Sequence, residues 1–199
     1  MFTGIIKSIS TIKTIQAKKH GLVFEIALPK TWKLNLGDSV AVDGACLTVA
    51  KISRSSFVCE LMKETLDKTK FSGSVPKKVN LEQAVRATDS LDGHQVLGHV
   101  DAIGQIFKIT TIGSSRTIKI KFPNKFKNLV AEKGSISVDG ISLTLVDAGN
   151  DWFTVSLVDY TIKHTTLGEK ITGDLVNIEF DIIAKYINRI YETRNTRQI

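Results

Sequence analysis

Apolar and polar residues alternate along most of this chain in short runs, and turn-forming residues separate the runs. A period of two is the signature of a strand with one face in a core. In the first half it predicts strands over residues 4–16, 21–28, 39–42, 56–62 and 79–85. Lys18-Lys19-His20-Gly21 supplies a turn, Pro29 closes the second strand, and Gly37-Asp38 opens the third. Residues 63–71 are polar and read as a short helix or a connecting loop. The second half predicts strands over 102–110, 117–122, 152–158 and 175–182, with Pro123 in the role of Pro29 and a polar hinge over 86–96 between the halves. Short strands divided by turn signals argue for a small barrel or sandwich. One stretch changes period. Ile183, Ile187, Ile190 and Tyr191 share a helical face with Tyr186 beside it, while Lys185, Asn188, Arg189 and Glu192 take the other face. A short amphipathic helix is marginal alone, so it is expected to pack on its own barrels or on another subunit. Its polar face is too mixed in sign for a membrane-surface helix.

The pattern is written twice. Val42-Asp43-Gly44-Ala45-Cys46-Leu47-Thr48-Val49 returns as Val138-Asp139-Gly140-Ile141-Ser142-Leu143-Thr144-Leu145, with Asp43 answering to Asp139 at a step of 96 residues. At the same step Phe57 to Leu61 faces Phe153 to Leu157, and Thr65 and Thr69 face Thr161 and Thr165. After one inserted residue, Val79-Asn80-Leu81-Glu82 faces Val176-Asn177-Ile178-Glu179. A step near half the chain means two copies of one domain rather than a solenoid. Within the block, Leu47 and Val49 share one strand face and Cys46 and Thr48 the other. The second copy keeps this with Leu143 and Leu145 against Ser142 and Thr144.

Composition narrows the class. With 199 residues, 42% hydrophobic and 24% charged, the chain has room for two small globular domains. No apolar run is long enough for a membrane helix, and the N-terminus lacks a basic region before its apolar stretch. Cys46 and Cys59 form no CxxC pair, which with the N-terminus points to the cytoplasm. The formal charge is +7, but the basic residues are scattered and aromatics make up only 7%, which argues against nucleic acid as a partner. His94, His99, Asp89, Asp92 and Asp101 show no tight ligand spacing, so no metal is expected and His94 reads as a structural residue of the hinge.

Several motifs carry a resemblance. Met1-Phe2-Thr3-Gly4-Ile5-Ile6, Gly44-x-Cys46-Leu47-Thr48-Val49, Leu61-Met62-Lys63-Glu64-Thr65-Leu66, Gly93-His94-x3-Gly98-His99-Val100, Asp139-Gly140-Ile141-Ser142-Leu143-Thr144 and Thr165-Thr166-Leu167-Gly168 stand in this order. Together they resemble the riboflavin synthase family, alpha-chain type, from Met1 to about Asp181. The resemblance implies an all-β fold of two six-stranded antiparallel Greek-key barrels, over residues 1–92 and 93–182, followed by a C-terminal α-helix, 183–199, that makes a homotrimer. It implies the last step of riboflavin biosynthesis, in which two molecules of 6,7-dimethyl-8-ribityllumazine dismutate by four-carbon transfer. Riboflavin and 5-amino-6-ribitylamino-uracil result, without cofactor or metal. The joint site is expected between the first barrel of one subunit and the second of a neighbour, and lumazine synthase is a possible further partner. A lumazine- or flavin-carrying paralogue without turnover is the alternative.

The resemblance also implies site residues. In the first copy they are Ser39, Cys46 and Thr48, with Ala45 and Leu47 of the same block, and Phe2, Gly4, Ile5 and Ile6 from the N-terminus. In the second they are Lys133, Ser142, Leu143, Thr144, Thr161 and Asp181, with Leu97, Gly98 and His99 at its head. Ribityl hydroxyls are expected at Glu60, Leu61, Met62, Lys63, Glu64 and Thr65, and at Ser156, Leu157, Val158, Asp159, Tyr160 and Thr161. By residue type, Ser142 beside Asp181 would supply or activate a nucleophile, and His99 or Thr144 would take the C7 methyl proton. Lys133 would stabilise negative charge on a ring. Cys46 would be a nucleophile or a small pocket wall. Tyr160 stands where the family often has glutamate.

Overall fold

The structure is a computed structural model describing residues 1–73, 75–113 and 115–196. The first repeat contributes β1 (Ser8–Lys18), β2 (Gly21–Ala27), β3 (Ser39–Val42), β4 (Ala45–Ile52), β5 (Ser56–Met62), α1 (Lys63–Lys68) and β6 (Lys78–Gln83). The second contributes β7 (Ala102–Ile112), β8 (Ser115–Lys121), β9 (Ser135–Val138), β10 (Ile141–Ala148), β11 (Trp152–Leu157), α2 (Asp159–His164) and β12 (Leu175–Phe180), and α3 (Ile182–Thr196) follows. The strands close two barrels, β1-β2-β5-β4-β3-β6 and its counterpart β7-β8-β11-β10-β9-β12. Neighbours are antiparallel, and β2 lies beside β5 rather than β3, which is the Greek-key return.

The alternation explains both cores. Val40, Val42, Leu47, Val49, Phe57, Cys59, Leu61, Val79 and Leu81 point into the first barrel. Ile136, Val138, Leu145, Phe153, Val155, Leu157, Val176, Ile178 and Phe180 fill the second. Each such side chain is worth roughly 1.5–3 kcal/mol when fully buried. Burial pushes the Cys59 thiol up to about 12, which leaves it an inert core group.

Most strand ends shift by one or two residues from the sequence pattern, and β1 takes in Lys18, which the sequence puts in the turn. The first strand begins at Ser8 instead of residue 4, because Gly4 and Ile6 turn to the second barrel while Lys7 still donates to the Leu81 carbonyl of β6. The strand expected over 79–85 ends at Gln83, and that over 175–182 ends at Phe180, since Asp181 accepts from the Ile183 N–H at 2.9 Å and opens α3. Residues 63–71 resolve into α1 and a 3-10 turn, Lys70–Ser72, and the second repeat matches them with α2 and a 3-10 turn, Thr166–Glu169. Residues 197–199, the tail of the expected helix segment, lie outside the described residues.

Candidate active site

The two N-terminal segments cross. Gly4 does not serve the barrel it precedes: its carbonyl accepts from the Ser142 N–H at 2.8 Å, and Ile6 packs on the second core. In mirror fashion the Gly98 carbonyl accepts from the Cys46 N–H at 2.9 Å, and Val100 packs on the first core. Where the arms pass, Phe2 and Val96 exchange backbone hydrogen bonds at 2.6 and 3.1 Å. A buried carboxylate at the end of each barrel's last strand holds that barrel's own N-terminal arm where it leaves for the other barrel. Glu82 accepts from the Thr3 N–H and hydroxyl, both at 2.7 Å, and from the Gly4 N–H at 3.0 Å. Glu179 accepts from the Leu97 and Gly98 N–H groups at 2.7 and 2.9 Å. Burial raises the pKa of both carboxyls, and the N–H donors oppose the shift.

This corrects the grouping by chain order. Gly4, Ile5 and Ile6 belong to the second barrel's edge, and Gly98 and His99 to the first's. A cavity of about 430 Å³ opens there, lined by Ala45, Cys46, Glu64, Thr65, Lys68, Thr69, Gly98, His99 and Val100. Lys68, Thr69 and Val100 are additions that the sequence reading missed. The 96-residue step could have found the first two, because it pairs Thr69 with Thr165 and Lys68 with His164. Ser39 faces Thr48 across the β3–β4 ladder, and neither lines this cavity; Ser135 faces Thr144 in the same register on β9 and β10.

At the second edge, Ser142 meets a residue read as structural. His94 Nδ1 lies 2.7 Å from Ser142 Oγ. Burial lowers the His94 pKa, and the nearby Asp181 charge pulls the other way. The ring is thus neutral at pH 7, and in its Nε2–H tautomer it accepts the Ser142 hydroxyl proton at Nδ1. Gly93 makes room for this: a Cβ there would lie 2.9 Å from the Ser142 Cβ. The Gly93-His94 pair was the available signal, a glycine beside an imidazole in an otherwise polar hinge.

Other expected contacts fall elsewhere. Phe2 is fully buried in the joint with Ala41 and Val96, so it supports the edge rather than facing a ligand. The Leu47, Leu61 and Leu157 side chains lie in the barrel cores because strand alternation turns them inward, and Leu143 packs against the second core. Glu60, Leu61 and Met62 border a separate cleft of about 280 Å³ with Lys18 and His20, and Glu60 pairs with Lys18 at 2.6 Å. Lys63 turns away to Asp67 at 2.7 Å. Ser156, Val158 and Asp159 are exposed, with Asp159 paired to Lys163 at 2.7 Å. Lys133 is exposed on a turn with φ 65°, where the first repeat has Gly37 at φ 86°. The helix walls differ too. Glu64 and Lys68 on α1 answer to Tyr160 and His164 on α2, whose rings stack with centroids 4.1 Å apart.

Two equivalent barrels, each offering a polar strand edge closed by the other's arm, define a duplicated barrel protein with two matching candidate sites. A family model described as the lumazine binding domain matches residues 3–84 and again 97–181. A riboflavin synthase of Actinobacillus pleuropneumoniae is 42% identical over 191 residues, covering 95% of this chain and 89% of that protein. Another, of Bacillus subtilis (strain 168), is 38% identical over 197 residues, covering 98% and 92%. The chain belongs to the riboflavin synthase family. Among solved structures, LumP complexed with riboflavin superposes with a TM-score of 0.84 at 23% identity, covering 91% of this chain and 100% of that one, a likeness of fold.

Proposed function

We propose that the protein catalyses the dismutation of two 6,7-dimethyl-8-ribityllumazine molecules into riboflavin and 5-amino-6-ribitylamino-uracil. The observation that carries this is the pair of equivalent edges with different chemistry: Cys46 and His99 at one, Ser142, His94 and Asp181 at the other. A reaction between two copies of one heterocycle needs two similar pockets, and the division into donor and acceptor needs them to differ. Holding two rings in register is worth up to roughly 7–11 kcal/mol of barrier. In the first pocket His99 takes the C7 methyl proton. In the second, Ser142 gives its proton to His94 as its oxygen adds to C7 of the other ring, and Asp181 supports the imidazolium that forms. Incubation with dimethylribityllumazine is expected to yield riboflavin absorbance over many turnovers. Stoichiometric binding without turnover would instead establish the carrier.

The finer assignments belong to the same reading. The domains divide at 92/93, just before the arm that starts at His94, and at 182/183, one residue into α3. The exposed stripe of α3 makes a homotrimer, in which the first pocket of one subunit faces the second of a neighbour. The setting is cytoplasmic, and among the described residues no helix is long and apolar enough to cross a membrane. Lumazine synthase remains a partner to test by co-sedimentation.

Lys133 is assigned to charge stabilisation on the ring in the second pocket. A non-glycine residue in the left-handed region costs about 1–2 kcal/mol, and Lys133 stands at φ 65° against that cost. Lys133→Gly is therefore expected to raise stability by about 1 kcal/mol while slowing single turnover roughly tenfold. Thermal unfolding and rapid-quench kinetics on one preparation check both signs. Weaker lumazine affinity with an unchanged single-turnover rate would reduce Lys133 to a binding residue.

A further inference from the structure

The joint between the barrels holds an ammonium that neither pocket contains. The two Asp-Gly turns that launch β4 and β10 meet back to back: a Cβ on Gly44 would lie 2.7 Å from the Gly140 nitrogen, and one on Gly140 2.8 Å from the Gly44 nitrogen. Around them the hydrogen bonds obey a twofold relation. Asn80 donates through Nδ2 to the Asp139 carbonyl at 3.0 Å and accepts from the Thr166 N–H at 2.8 Å. Asn177 donates to the Asp43 carbonyl at 2.8 Å and accepts from the Lys70 N–H at 2.8 Å. The symmetry breaks in the side chains of the two residues that donate to these asparagines. Lys70 Nζ lies 2.9 Å from Asp43 Oδ2 and 2.6 Å from Asp139 Oδ2, with none of the three side chains more than 3% exposed. Its counterpart, Thr166, has a buried hydroxyl that finds no hydrogen-bond partner among the described residues.

The electrostatics of this cluster are one-sided. Burial pushes the Asp43 carboxyl up to about 6, Lys70 pulls it down, and Asp139 adds to the rise. Burial alone would lower the Lys70 pKa, but the two carboxylates outweigh it and the net direction is up. The ammonium is thus held charged in a buried joint, where removing one partner of an ion pair is more costly than at the surface.

Each turn that Lys70 grips delivers one site edge. Asp43 lies three residues before Cys46, Asp139 three before Ser142, and Lys70 directly follows Thr69 of the first cavity. We propose that Lys70 is a positioning residue for both pockets, an ionic clamp on the two Asp-Gly turns that sets Cys46 against Gly98 and Ser142 against Gly4 and His94. The inference rests on reading these edges as the reacting pockets.

Lys70→Met alone leaves two carboxylates facing each other. Such a pair retains a proton, so the folded state binds more protons than the unfolded one and stability falls as pH rises through neutrality. Asp43 and Asp139 are the titratable groups paired with Lys70, and Asn80 and Asn177 beside them are uncharged. The deciding protein is the triple variant Lys70→Met/Asp43→Asn/Asp139→Asn. Asparagine tolerates the turn angles of φ 42° and 48°, and its Oδ1 can still accept the Asn80 and Asn177 N–H bonds now made at 2.7 and 2.8 Å. The variant's two new Nδ2–H2 groups lack acceptors in the buried joint, so it is expected to unfold below the parental midpoint but without the pH dependence of Lys70→Met. It should form riboflavin about tenfold or more slowly in a single turnover. Labelling of Cys46 by a small aromatic disulfide should change about threefold or more, and the buried Cys59 stays silent. Parental turnover together with parental labelling would overturn the proposal and leave Lys70 a mere neutraliser of its neighbours. Should the triple variant fail to fold, the same two readouts on Lys70→Arg, which keeps the charge but shifts it, decide in the same way. A parent that makes no riboflavin would defeat the functional reading, while the Cys46 labelling would still judge the clamp.

Discussion

His94→Ala is expected to slow the single-turnover rate about 10²–10⁴-fold while leaving lumazine affinity within a few-fold of the parent, the range for loss of a positioned general base. The reason is geometric. His94 Nδ1 sits 2.7 Å from Ser142 Oγ, and its half-buried ring feels the Asp181 charge. If His94 and Ser142 act as one unit, His94→Ala/Ser142→Ala should cost little more than either change alone. Additive losses would separate them into independent roles. The pH profile carries a second sign. Burial lowers the His94 pKa, so the neutral, proton-accepting ring persists to pH values below the ordinary imidazole value, and the acid limb of the rate should lie lower than a free imidazole predicts. The same shift contributes to stability. The folded state holds fewer protons there than the unfolded one, so this contribution is present above the unfolded imidazole value and is lost as pH falls through the folded one. An acid limb displaced upward, or a rate unchanged by His94→Ala, would remove His94 from the chemistry.

The barrels were legible because their physics is local. Alternation over residues 39–42 and 56–62 reports which side chains meet the core, and Val40, Phe57 and Leu61 do so in the structure. The duplication was legible because identical turns need identical residues: Asp43-Gly44 and Asp139-Gly140 recur with the same positive φ angles. The crossing of the arms was not. A period of two says that residues 4–7 alternate, but not whose edge they join. Glu82 and Glu179 tie each arm to its own barrel, and the cross-barrel bonds are made by backbone, Ser142 N–H to Gly4 and Cys46 N–H to Gly98, which no side-chain pattern announces. That is why His99 reads from sequence as second-copy chemistry while the fold sets it beside Cys46. Lys70 was hidden for a related reason. It lies in a polar stretch that looks solvated, and only the back-to-back meeting of the two turns buries it.

Cutting the chain after Asp181 is expected to abolish more than about 90% of turnover while leaving both barrels folded, because the proposed site, shared between neighbours, would not form without the proposed assembly. The α3 stripe is the motive. Ile183, Ile187 and Ile190 are 63%, 63% and 56% exposed, with Tyr186 and Tyr191 beside them at 67% and 65%. Burying three isoleucines and two tyrosines on a neighbour gains on the order of 1.5–3 kcal/mol for each aliphatic side chain. That gain is set against an association cost of about 4–15 kcal/mol. The two terms are of similar size, so losing part of the stripe should weaken assembly steeply. The barrels lose little by the cut: the Lys185–Asp101 pair at 2.6 Å is partly exposed, and such pairs contribute about 0–1 kcal/mol. Ile187→Glu/Ile190→Glu tests the same surface in the full chain by placing two charges on the stripe, where trimer assembly would have to bury them unpaired. Sedimentation velocity should show a trimer for the parent and a monomer for both altered chains, with unchanged far-UV circular dichroism from the strands. A trimer that survives the cut would mean that the barrels, not α3, carry the assembly.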